Sequence, residues 1–310
     1  MRATRKQSKR SVEGAPAKND RSEPIGSPIG SPRRQAGRFE PGPASFCHCS
    51  NATNPPSGTS CCHMFTSPSK DFVPGVWGPY YGAMVPGMYL NEGGQSAAGS
   101  AVDYVVRSHA AYKELLAKAD GRPEIVVLNE IVEEMGGSNI TNRFHVTPDF
   151  IGNRSPLSDP MMRGAVCGLG MGSSVADLAV LYCATVQALA YSSKMIVEKV
   201  EGAGHEKLDS LYLCGGLTKN SLFVQTSADV LGIAVCLPAE EEAVLVGAAV
   251  AAAAEHLGGV EEAMRAMTKV GARVEASGGE QARAFHEKKY RVFRRMMEDQ
   301  AAYRDIMEGT

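Results

Sequence analysis

The sequence predicts a layered α/β domain, in which helices pack against a central sheet. Two observations support this prediction. From about residue 58 onward, short apolar runs typical of buried strands alternate with helical patterns. The composition also fits, because a chain of 310 residues that is 44% hydrophobic and 21% charged can bury a sizeable core.

The segment 211–237 is the clearest strand–turn–helix–strand unit. Its first apolar run ends at Gly215 and Gly216, which let the backbone approach another group closely. A helix should follow, with Thr218 as its N-cap, and its buried positions at helical spacing are Leu222, Phe223, Thr226 and Val230. The N–H groups at the start of this helix favour an anionic ligand above the glycines. A tight turn that only packs the helix onto the sheet is an equally good interpretation, since a glycine pair alone is a weak signal.

Upstream of this unit, the patterns change several times along the chain. Residues 72–90 alternate apolar runs with Pro-Gly turns, which favours short antiparallel strands. Residues 91–118 are predicted to pass from a Gly/Ser-rich loop into a helix. Residues 146–164 are rich in Pro, Asp and Asn and are predicted to form an irregular loop.

Three further helices are predicted. Ser174 and Asp177 have the spacing of a capping box and should begin a helix that ends near Gly202. Its buried stripe would consist of Leu178, Leu181, Tyr182, Thr185 and Leu189. Residues 241–257 and most of 280–307 are predicted to form the other two, of which the last is highly charged.

Residues 1–57 have a different composition, rich in Arg, Lys, Ser, Pro and Gly, and we expect them to be a disordered, unrelated tail. A mitochondrial transit peptide is the alternative, but Glu13, Asp20 and Glu23 argue against it. The net charge of −2 gives no reason to expect a nucleic-acid partner. Because we find neither a membrane-length apolar run nor a secretory signal, we expect a cytoplasmic protein without a membrane partner.

Metal binding is not expected from the cysteine and histidine pattern. The tripeptides CHC at 47–49 and CCH at 61–63 do not have the spacing of the usual zinc sites. In the 146–164 loop, Arg163 could help to hold a ligand cleft, or could form a structural salt bridge with Asp159. Trp77, the only tryptophan, is expected to pack against a turn.

Three glycine-centred stretches carry a resemblance to a known family: SGTSCCHM at 57–64, NEGGQSAAGSAVDYVV at 91–106 and CGGLTKN at 214–220. Together with FVPGVWGPYYGAMVPGMYLNEGGQS at 72–96 and the loop at 148–164, they resemble the C-terminal half of the FGGY carbohydrate kinases. Within that family the chain is most similar to the eukaryotic D-ribulokinase-like members. The resemblance covers about residues 58–309.

The resemblance implies an actin-like ATPase (ribonuclease-H-like) fold, with residues 58–310 as the C-terminal nucleotide-binding domain. It implies that ATP, carrying Mg²⁺, lies between this domain and an N-terminal one. Family motifs then assign nucleotide contacts to seven residues. Gly58 and Thr59 would contact the ATP phosphates, and Gly99 and Asp103 would flank the nucleotide. Gly215, Gly216 and Asn220 belong to the adenosine motif. Gly215 would make the turn, and Asn220 would supply a polar contact to adenosine.

The sequence departs from the family pattern at its N-terminal side. The family's catalytic aspartate, a general base, lies shortly before the phosphate motif, whereas residues 35–57 contain no aspartate. We therefore expect no catalytic residue in this chain, and no activity from it alone without an N-terminal kinase half.

The resemblance implies ATP-dependent phosphorylation of a pentulose such as D-ribulose. A non-catalytic nucleotide-binding or regulatory module is the alternative. A third possibility, another actin-like ATPase such as a chaperone nucleotide domain, fits the stretches GVWGPYYGAMVPG and GNRSPLSDP less well.

Overall fold

The structure, a computed structural model, describes residues 60–277 and 279–309 together with two strands, 37–38 and 45–50. The strands are β1 (Gly37–Arg38), β2 (Ser45–Ser50), β3 (Cys61–Ser67), β4 (Trp77–Tyr81), β5 (Tyr89–Gln95), β6 (His145–Thr147), β7 (Ala165–Cys167), β8 (Ser210–Gly215), β9 (Ala234–Pro238) and β10 (Lys269–Val274). The helices are α1 (Gly99–Ser108), α2 (Tyr112–Ala119), α3 (Glu124–Glu134), α4 (Val175–Glu201), α5 (Ser221–Leu231), α6 (Ala243–Leu257), α7 (Val260–Met267) and α8 (Glu280–Glu308). Short 3₁₀ turns lie at Gly137–Thr141 and Gly216–Lys219.

Within the described residues, eight strands form one mixed sheet in the order β1-β10-β9-β8-β2-β3-β5-β4. Its centre, β2, β8 and β9, is parallel. The neighbouring pairs β2–β3, β3–β5 and β5–β4 are antiparallel, and so are β9–β10 and β10–β1. Strands β6 and β7 form a separate two-stranded ribbon. The layered α/β domain predicted from the sequence is therefore confirmed.

Helix α4 packs directly on the sheet and forms the centre of the core. On β3, the His63 imidazole lies 2.9 Å (Nε2) from the Ser193 hydroxyl of α4, and both side chains are buried. Gln95 at the end of β5 donates through Nε2 to the Leu189 carbonyl, also on α4, at 2.7 Å. The buried core extends from these contacts to helices α1, α2, α3 and α5. These polar contacts fix α4 in register on the sheet, because each buried donor or acceptor needs its partner.

Two glycines in β5 allow α4 to approach the sheet closely. They were predicted to lie in a loop, and this prediction is wrong. The stretch NEGGQ was expected to belong to a loop, but it forms the last five of the seven residues of strand β5. A Cβ on Gly93 would lie 2.8 Å from Cγ2 of Ile196, and one on Gly94 would lie 2.8 Å from the Cys61 carbonyl oxygen. The glycines therefore serve close packing inside the sheet and not a turn.

The capping box predicted for α4 is confirmed. The Ser174 hydroxyl accepts from the Asp177 N–H at 3.2 Å, and the Asp177 carboxylate accepts from the Ser174 N–H at 2.9 Å. The predicted stripe lies in the core, with Leu178, Tyr182, Thr185 and Leu189 buried and Leu181 packed against the core. In length and apolar composition α4 could cross a membrane, but 78% of its apolar window is buried inside the domain. It is thus the central core helix.

Helix α8 closes a second apolar cluster, formed with α4, α5 and the ribbon around Tyr191, Tyr290 and Phe293. Its buried Lys289 ammonium donates to the Thr141 carbonyl at 2.9 Å and to the Phe144 carbonyl, and lies 3.1 Å from Nδ1 of His145. Burial lowers the pKa of Lys289 to about 8. This ammonium ties α8 to carbonyl groups that end the 3₁₀ turn before β6.

Two other predictions were wrong in detail. Asn220, not Thr218, is the N-cap of α5, and the Thr218 hydroxyl donates instead to the Gly215 carbonyl at 2.7 Å. Asp159 pairs with Arg304 of α8 at 2.7 Å, while Arg163 donates to the Pro160 and Met162 carbonyls.

The N-terminal segment 1–57, expected to be disordered, contributes strands β1 and β2 to the sheet. The expectation is therefore corrected for these two strands, because β2 fills the place between β8 and β3 that the sheet requires. The rest of 1–57 lies outside the described residues, and its boundary with the domain at residue 58 stays a prediction.

Candidate functional site

Four strand ends lie in one row across the sheet. Gln95 at the end of β5 is opposite Cys61 at the start of β3. Cys61 is opposite Ser50 at the end of β2, and Ser50 is in register with Gly215 at the end of β8. With strands about 4.8 Å apart, the row is roughly 14 Å long. Each of the three predicted nucleotide motifs, 57–64, 91–106 and 214–220, contains a member of this row.

The first motif lies at the β5 end of the row. Gly99 is the first residue of α1, four positions after Gln95, and it is buried. Helix α1 has no side-chain N-cap, and Asp103 lies one turn further along it, partly buried. The N-terminus of α1 therefore lies at the same edge of the sheet as the row, where helix N–H groups favour an anion.

Gly58 and Thr59, the predicted phosphate contacts, lie outside the described residues. Their place in the chain is nevertheless informative, since they come directly before Ser60 and β3. They belong to the connection between Ser50 and Cys61, which are partners in the row. Their predicted role stays a prediction.

Gly215 and Gly216 lie at the other end of the row and differ from each other. Gly215 has a φ of 87°, which strongly favours glycine, so it makes the turn out of β8. Gly216 is exposed, and a Cβ built on it would meet nothing within 4 Å. The backbone at Gly216 therefore faces open space, as a ligand lying on it would require.

Asn220 is almost fully buried at the start of α5. Its Oδ1 accepts from the Phe223 N–H at 3.2 Å and thus caps the helix. The α5 N-terminus lies one 3₁₀ turn after Gly216, so α1 and α5 both begin at this edge of the sheet. The carboxyl ends of parallel strands β2 and β8 also meet here, which is where α/β sheets usually bind ligands.

Asn129 on α3 holds this arrangement together, although no sequence pattern pointed to it. It accepts from the Tyr182 hydroxyl at 2.7 Å and donates to Oδ1 of Asn220 at 3.3 Å and to the Ser221 hydroxyl at 3.2 Å. Burial raises the pKa of Tyr182 far above its usual value, so the phenol remains a donor. Nothing in the local pattern of α3 distinguishes Asn129 from a surface asparagine, and only the fold places it beside Asn220.

A second polar cluster lies on β5, β3 and β4, around Arg154. The Arg154 guanidinium forms a 2.5 Å ion pair with Glu92 and lies 4.4 Å from the centre of the Trp77 ring. It also donates to Sγ of Cys62 at 3.6 Å. Burial raises the pKa of the Cys62 thiol, although Arg154 opposes this effect. Trp77 thus stacks on a cation at the sheet surface and remains 57% exposed, which refines the prediction that it packs against a turn.

Among the described residues, no group of three or more His, Cys, Asp or Glu side chains could hold a metal ion. The Cys47-to-Cys49 tripeptide has no described side chains. Mg²⁺, expected to accompany ATP, therefore stays a prediction.

The described residues have the actin-like fold found in sugar kinases. The structure is similar to a xylulose kinase from Rhodospirillum rubrum, with a TM-score of 0.67, 21% identity, and coverage of 85% of this chain and 48% of that one. It is also similar to Plasmodium falciparum glycerol kinase with ADP, with a TM-score of 0.60, 18% identity, and coverage of 82% and 47%. At these identities the likeness concerns the fold.

The family is defined by sequence. The model of the C-terminal domain of the FGGY family of carbohydrate kinases matches residues 56–256. The chain belongs to this family. It is 48% identical over 258 residues to a human FGGY carbohydrate kinase domain-containing protein, covering 81% of this chain and 46% of the relative. It is 33% identical over 199 residues to a D-ribulokinase from Saccharomyces cerevisiae, covering 61% and 28%. The chain thus spans about half the length of the human relative.

Proposed function

We propose that this chain supplies the nucleotide-binding half of an ATP-dependent carbohydrate kinase. The observation that carries the proposal is the row Gln95–Cys61–Ser50–Gly215, which brings three family motifs to one edge of the sheet. The N-termini of α1 and α5 lie at the same edge and favour phosphate groups. A nucleotide fits the open backbone at Gly216, because no protein atom occupies the position of its missing Cβ.

Residues at different points along the row would contact different parts of the nucleotide. Gly216 and the Asn220-capped start of α5 would lie against the adenosine, while Gly99, Asp103, Gly58 and Thr59 would lie toward the phosphates. Asn129 and Tyr182 would act as positioning residues, because Asn129 donates to Asn220 and is itself held by the Tyr182 hydroxyl, through two partly buried hydrogen bonds. Phosphoryl transfer depends mainly on positioning and charge stabilisation. Mg²⁺ bound to ATP would neutralise charge on the phosphates.

The acceptor is proposed to be a pentulose such as D-ribulose. Support comes from the yeast D-ribulokinase, at 33% identity. Because the chain spans only about half the length of the human relative, we propose that the sugar pocket and the general base are completed by a second, N-terminal half. On this proposal the chain alone is inactive or nearly so, and it acts in the cytoplasm.

A direct test measures ATP binding by calorimetry in the purified chain, with Gly216→Asp as the test variant. The new carboxylate would enter the open space where the nucleotide lies and should weaken binding at least tenfold. Gly170→Asp is the matched control, because Gly170 is also exposed and has no protein atom closer than 4.0 Å to its Cβ position. Equal ATP affinity in both variants would overturn the proposed site.

Catalysis is tested by coupled ADP release with ATP, Mg²⁺ and a panel of D-ribulose, L-ribulose, D-xylulose and glycerol. We expect no release from the chain alone. Fusion of the N-terminal part of the human relative should give release that is highest with D-ribulose.

The alternative is a non-catalytic nucleotide-binding or regulatory module, in which the edge at Gly216 would hold a nucleotide without phosphoryl transfer. It predicts ATP binding that depends on Gly216 but no release from the fusion with any sugar.

A further inference from the structure

Helix α8 has a second apolar stripe beside the one that packs into the domain. The apolar and aromatic residues that pack inward are His286, Tyr290, Phe293 and Met297. The second stripe consists of Phe285, Val292, Met296, Tyr303 and Ile306. These five positions follow one another at intervals of seven, four, seven and three residues. They therefore lie on one side of the helix, with the spacing that paired helices use.

Most of this second stripe is exposed. The exposed fraction is 37% for Val292, 62% for Tyr303 and 77% for Ile306, while Phe285 and Met296 are half-buried. Single exposed apolar side chains are ordinary, but this row extends along about 30 Å of one helix. A continuous apolar row of that length is typical of a surface that another polypeptide covers.

The charges of α8 are separated along its length. Its exposed side chains from 283 to 295 include five basic residues and the acidic Glu287; the basic ones are Arg283, Lys288, Arg291, Arg294 and Arg295. From 298 to 308 the order reverses, and the acidic residues are Glu298, Asp299, Asp305 and Glu308. The one basic residue there, Arg304, is paired with Asp159. The helix dipole favours cations at the C-terminal end and not acidic residues. A second helix that runs in the opposite direction would place a basic half beside each acidic half and compensate both.

A second copy of α8 fits both the stripe and the charges in a single register. In an antiparallel pair that crosses at residue 294, positions equally far from 294 on either side lie opposite each other. Val292 and Met296 are such positions, and so are Phe285 and Tyr303. Each apolar side chain would therefore face an apolar side chain of the second copy.

The same register also matches the charges that border the stripe. Asp299 and Lys288 lie on the same flank of the stripe, at nearly equal distances from 294, so each would lie beside the other residue of the second copy. Arg295, near the crossing, already has a carboxylate partner, since it forms a 2.7 Å ion pair with Asp299. A nucleic acid or an anionic membrane would fit only the basic half and would be repelled by the acidic half.

We propose that the α8 stripe, defined as Phe285, Val292, Met296, Tyr303 and Ile306, binds the α8 stripe of a second copy of this chain in an antiparallel, two-fold symmetric pair. Such a pair is isologous, so every contact occurs twice. The inference goes beyond the proposed function, because it concerns assembly of the chain and requires neither nucleotide nor sugar.

The first test is sedimentation velocity of the purified full chain over a wide range of protein concentrations. We expect a monomer–dimer equilibrium that Tyr303→Asp and Ile306→Asp each weaken at least about tenfold, because a buried carboxylate without a partner is costly. Leu245→Asp on α6 is the matched control, since Leu245 is also an exposed apolar side chain, at 67%. It should change the dissociation constant by less than about twofold. Circular dichroism verifies that each variant is folded.

A charge exchange tests the antiparallel direction. Lys288→Glu and Asp299→Lys should each weaken the dimer by about fivefold, because each places like charges together at two symmetric contacts. The double variant, with both changes in one chain, restores opposite charges and should return the dissociation constant to within about twofold of the unchanged chain. In a parallel pair each position faces its own copy, so a single reversal would leave like charges facing each other and would change little. That result would overturn the proposed arrangement.

Other outcomes also decide against the α8 stripe. A chain that stays monomeric at every concentration overturns the proposal, whether or not it binds phosphatidylserine vesicles through Lys288 and Arg291. Self-association that Leu245→Asp abolishes and Ile306→Asp leaves unchanged would assign the contact to α6 and overturn it as well. Equal weakening by Tyr303→Asp, Ile306→Asp and Leu245→Asp would show non-specific association, with the same consequence.

This inference and the proposed function can fail separately. A monomeric chain that binds ATP with dependence on Gly216 would contradict the α8 pair and support the nucleotide site. A dimer that depends on Ile306 but binds no ATP would support the α8 pair and contradict the nucleotide site.

Discussion

Helices α4 and α6 both contain long apolar stretches, but they differ in how far they are buried. Helix α4 is buried along most of its length, and its polar side chains Ser193 and Gln187 have partners on the sheet and on the Gly137–Thr141 turn. Helix α6 has no such polar anchors and stays exposed above a cavity. The difference teaches that apolar composition alone does not locate a helix in the core. Specific polar contacts and close backbone approach fix α4, and α6 lacks both.

The largest expected difference between the two helices is in stability. Leu189→Ala in α4 removes a fully buried side chain and should lower the free energy of unfolding by about 2–5 kcal/mol. Leu245→Ala in α6 should change it by less than about 0.5 kcal/mol. Urea titrations followed by circular dichroism measure both. A large loss for Leu245→Ala that disappears on dilution would mean that self-association already buries α6.

The stability of the domain should depend on pH through Asp149, a buried carboxyl group. Burial raises the pKa of Asp149 to about 6 from 3.8, and its Oδ2 atom has no hydrogen-bond partner among the described residues. Because the folded state holds this proton more tightly than the unfolded state, stability should fall as pH rises from about 4 to 6 and then level off. The total loss should reach about 3 kcal/mol. Asp149→Asn should lack this fall, and parallel curves for the two proteins would contradict the assignment.

A smaller loss of stability is expected from substitutions at the junction between α4 and the candidate site. Asn129→Ala removes the acceptor of the Tyr182 hydroxyl and a donor to Asn220, and should cost about 1–3 kcal/mol. Tyr182→Phe removes only one hydroxyl and should cost about 1 kcal/mol. If ATP affinity falls in Asn129→Ala while Tyr182→Phe binds normally, the contact with Asn220 is the one that positions the nucleotide edge. Equal affinities in both variants would limit Asn129 to a structural role.

The smallest expected effect is a gain of stability in α6. A Cβ on Gly247 would meet nothing within 4 Å, so Gly247→Ala should stabilise the chain by about 0.5–1 kcal/mol. The contrasting variant is Gly93→Ala, which should destabilise it because its Cβ would press on Ile196. Thermal unfolding of both variants measures the sign of each change. A loss in Gly247→Ala would mean that α6 is packed more tightly than the structure indicates.

The elements with strong local signals were predictable from the sequence. The capping box at Ser174 fixed the start of α4, and the helical spacing of Leu222, Phe223, Thr226 and Val230 located α5, where all four are buried. Gly215 and Gly216 correctly marked the turn after β8. Each of these signals depends on residues only a few positions apart in the chain, so it can be recognised in a single sequence.

The features that were predicted wrongly or missed depend on contacts between residues that are far apart in the sequence. Gly93 and Gly94 suggested a loop, because only the packing of Ile196 and the Cys61 carbonyl explains glycine inside a strand. Asn129 was missed because its partners, Tyr182 and Asn220, lie 53 and 91 positions away. Strand β2 was missed because composition suggested disorder in a segment whose place in the sheet is set by β3 and β8.

The strand-end row also determines where the chain tolerates changes of length. One extra residue inside β5 or β8 would turn every later side chain of that strand to the opposite face and move its end out of the row. At the opposite end of these strands, the connection between β3 and β4 begins with the exposed residues 68–70, before Val73 and Val76 enter the core. Lengthening the connection at 68–70 changes loop closure by only about 0.6 kcal/mol per doubling. Insertions and fusions are therefore best placed at that end, as far as possible from the four aligned ends.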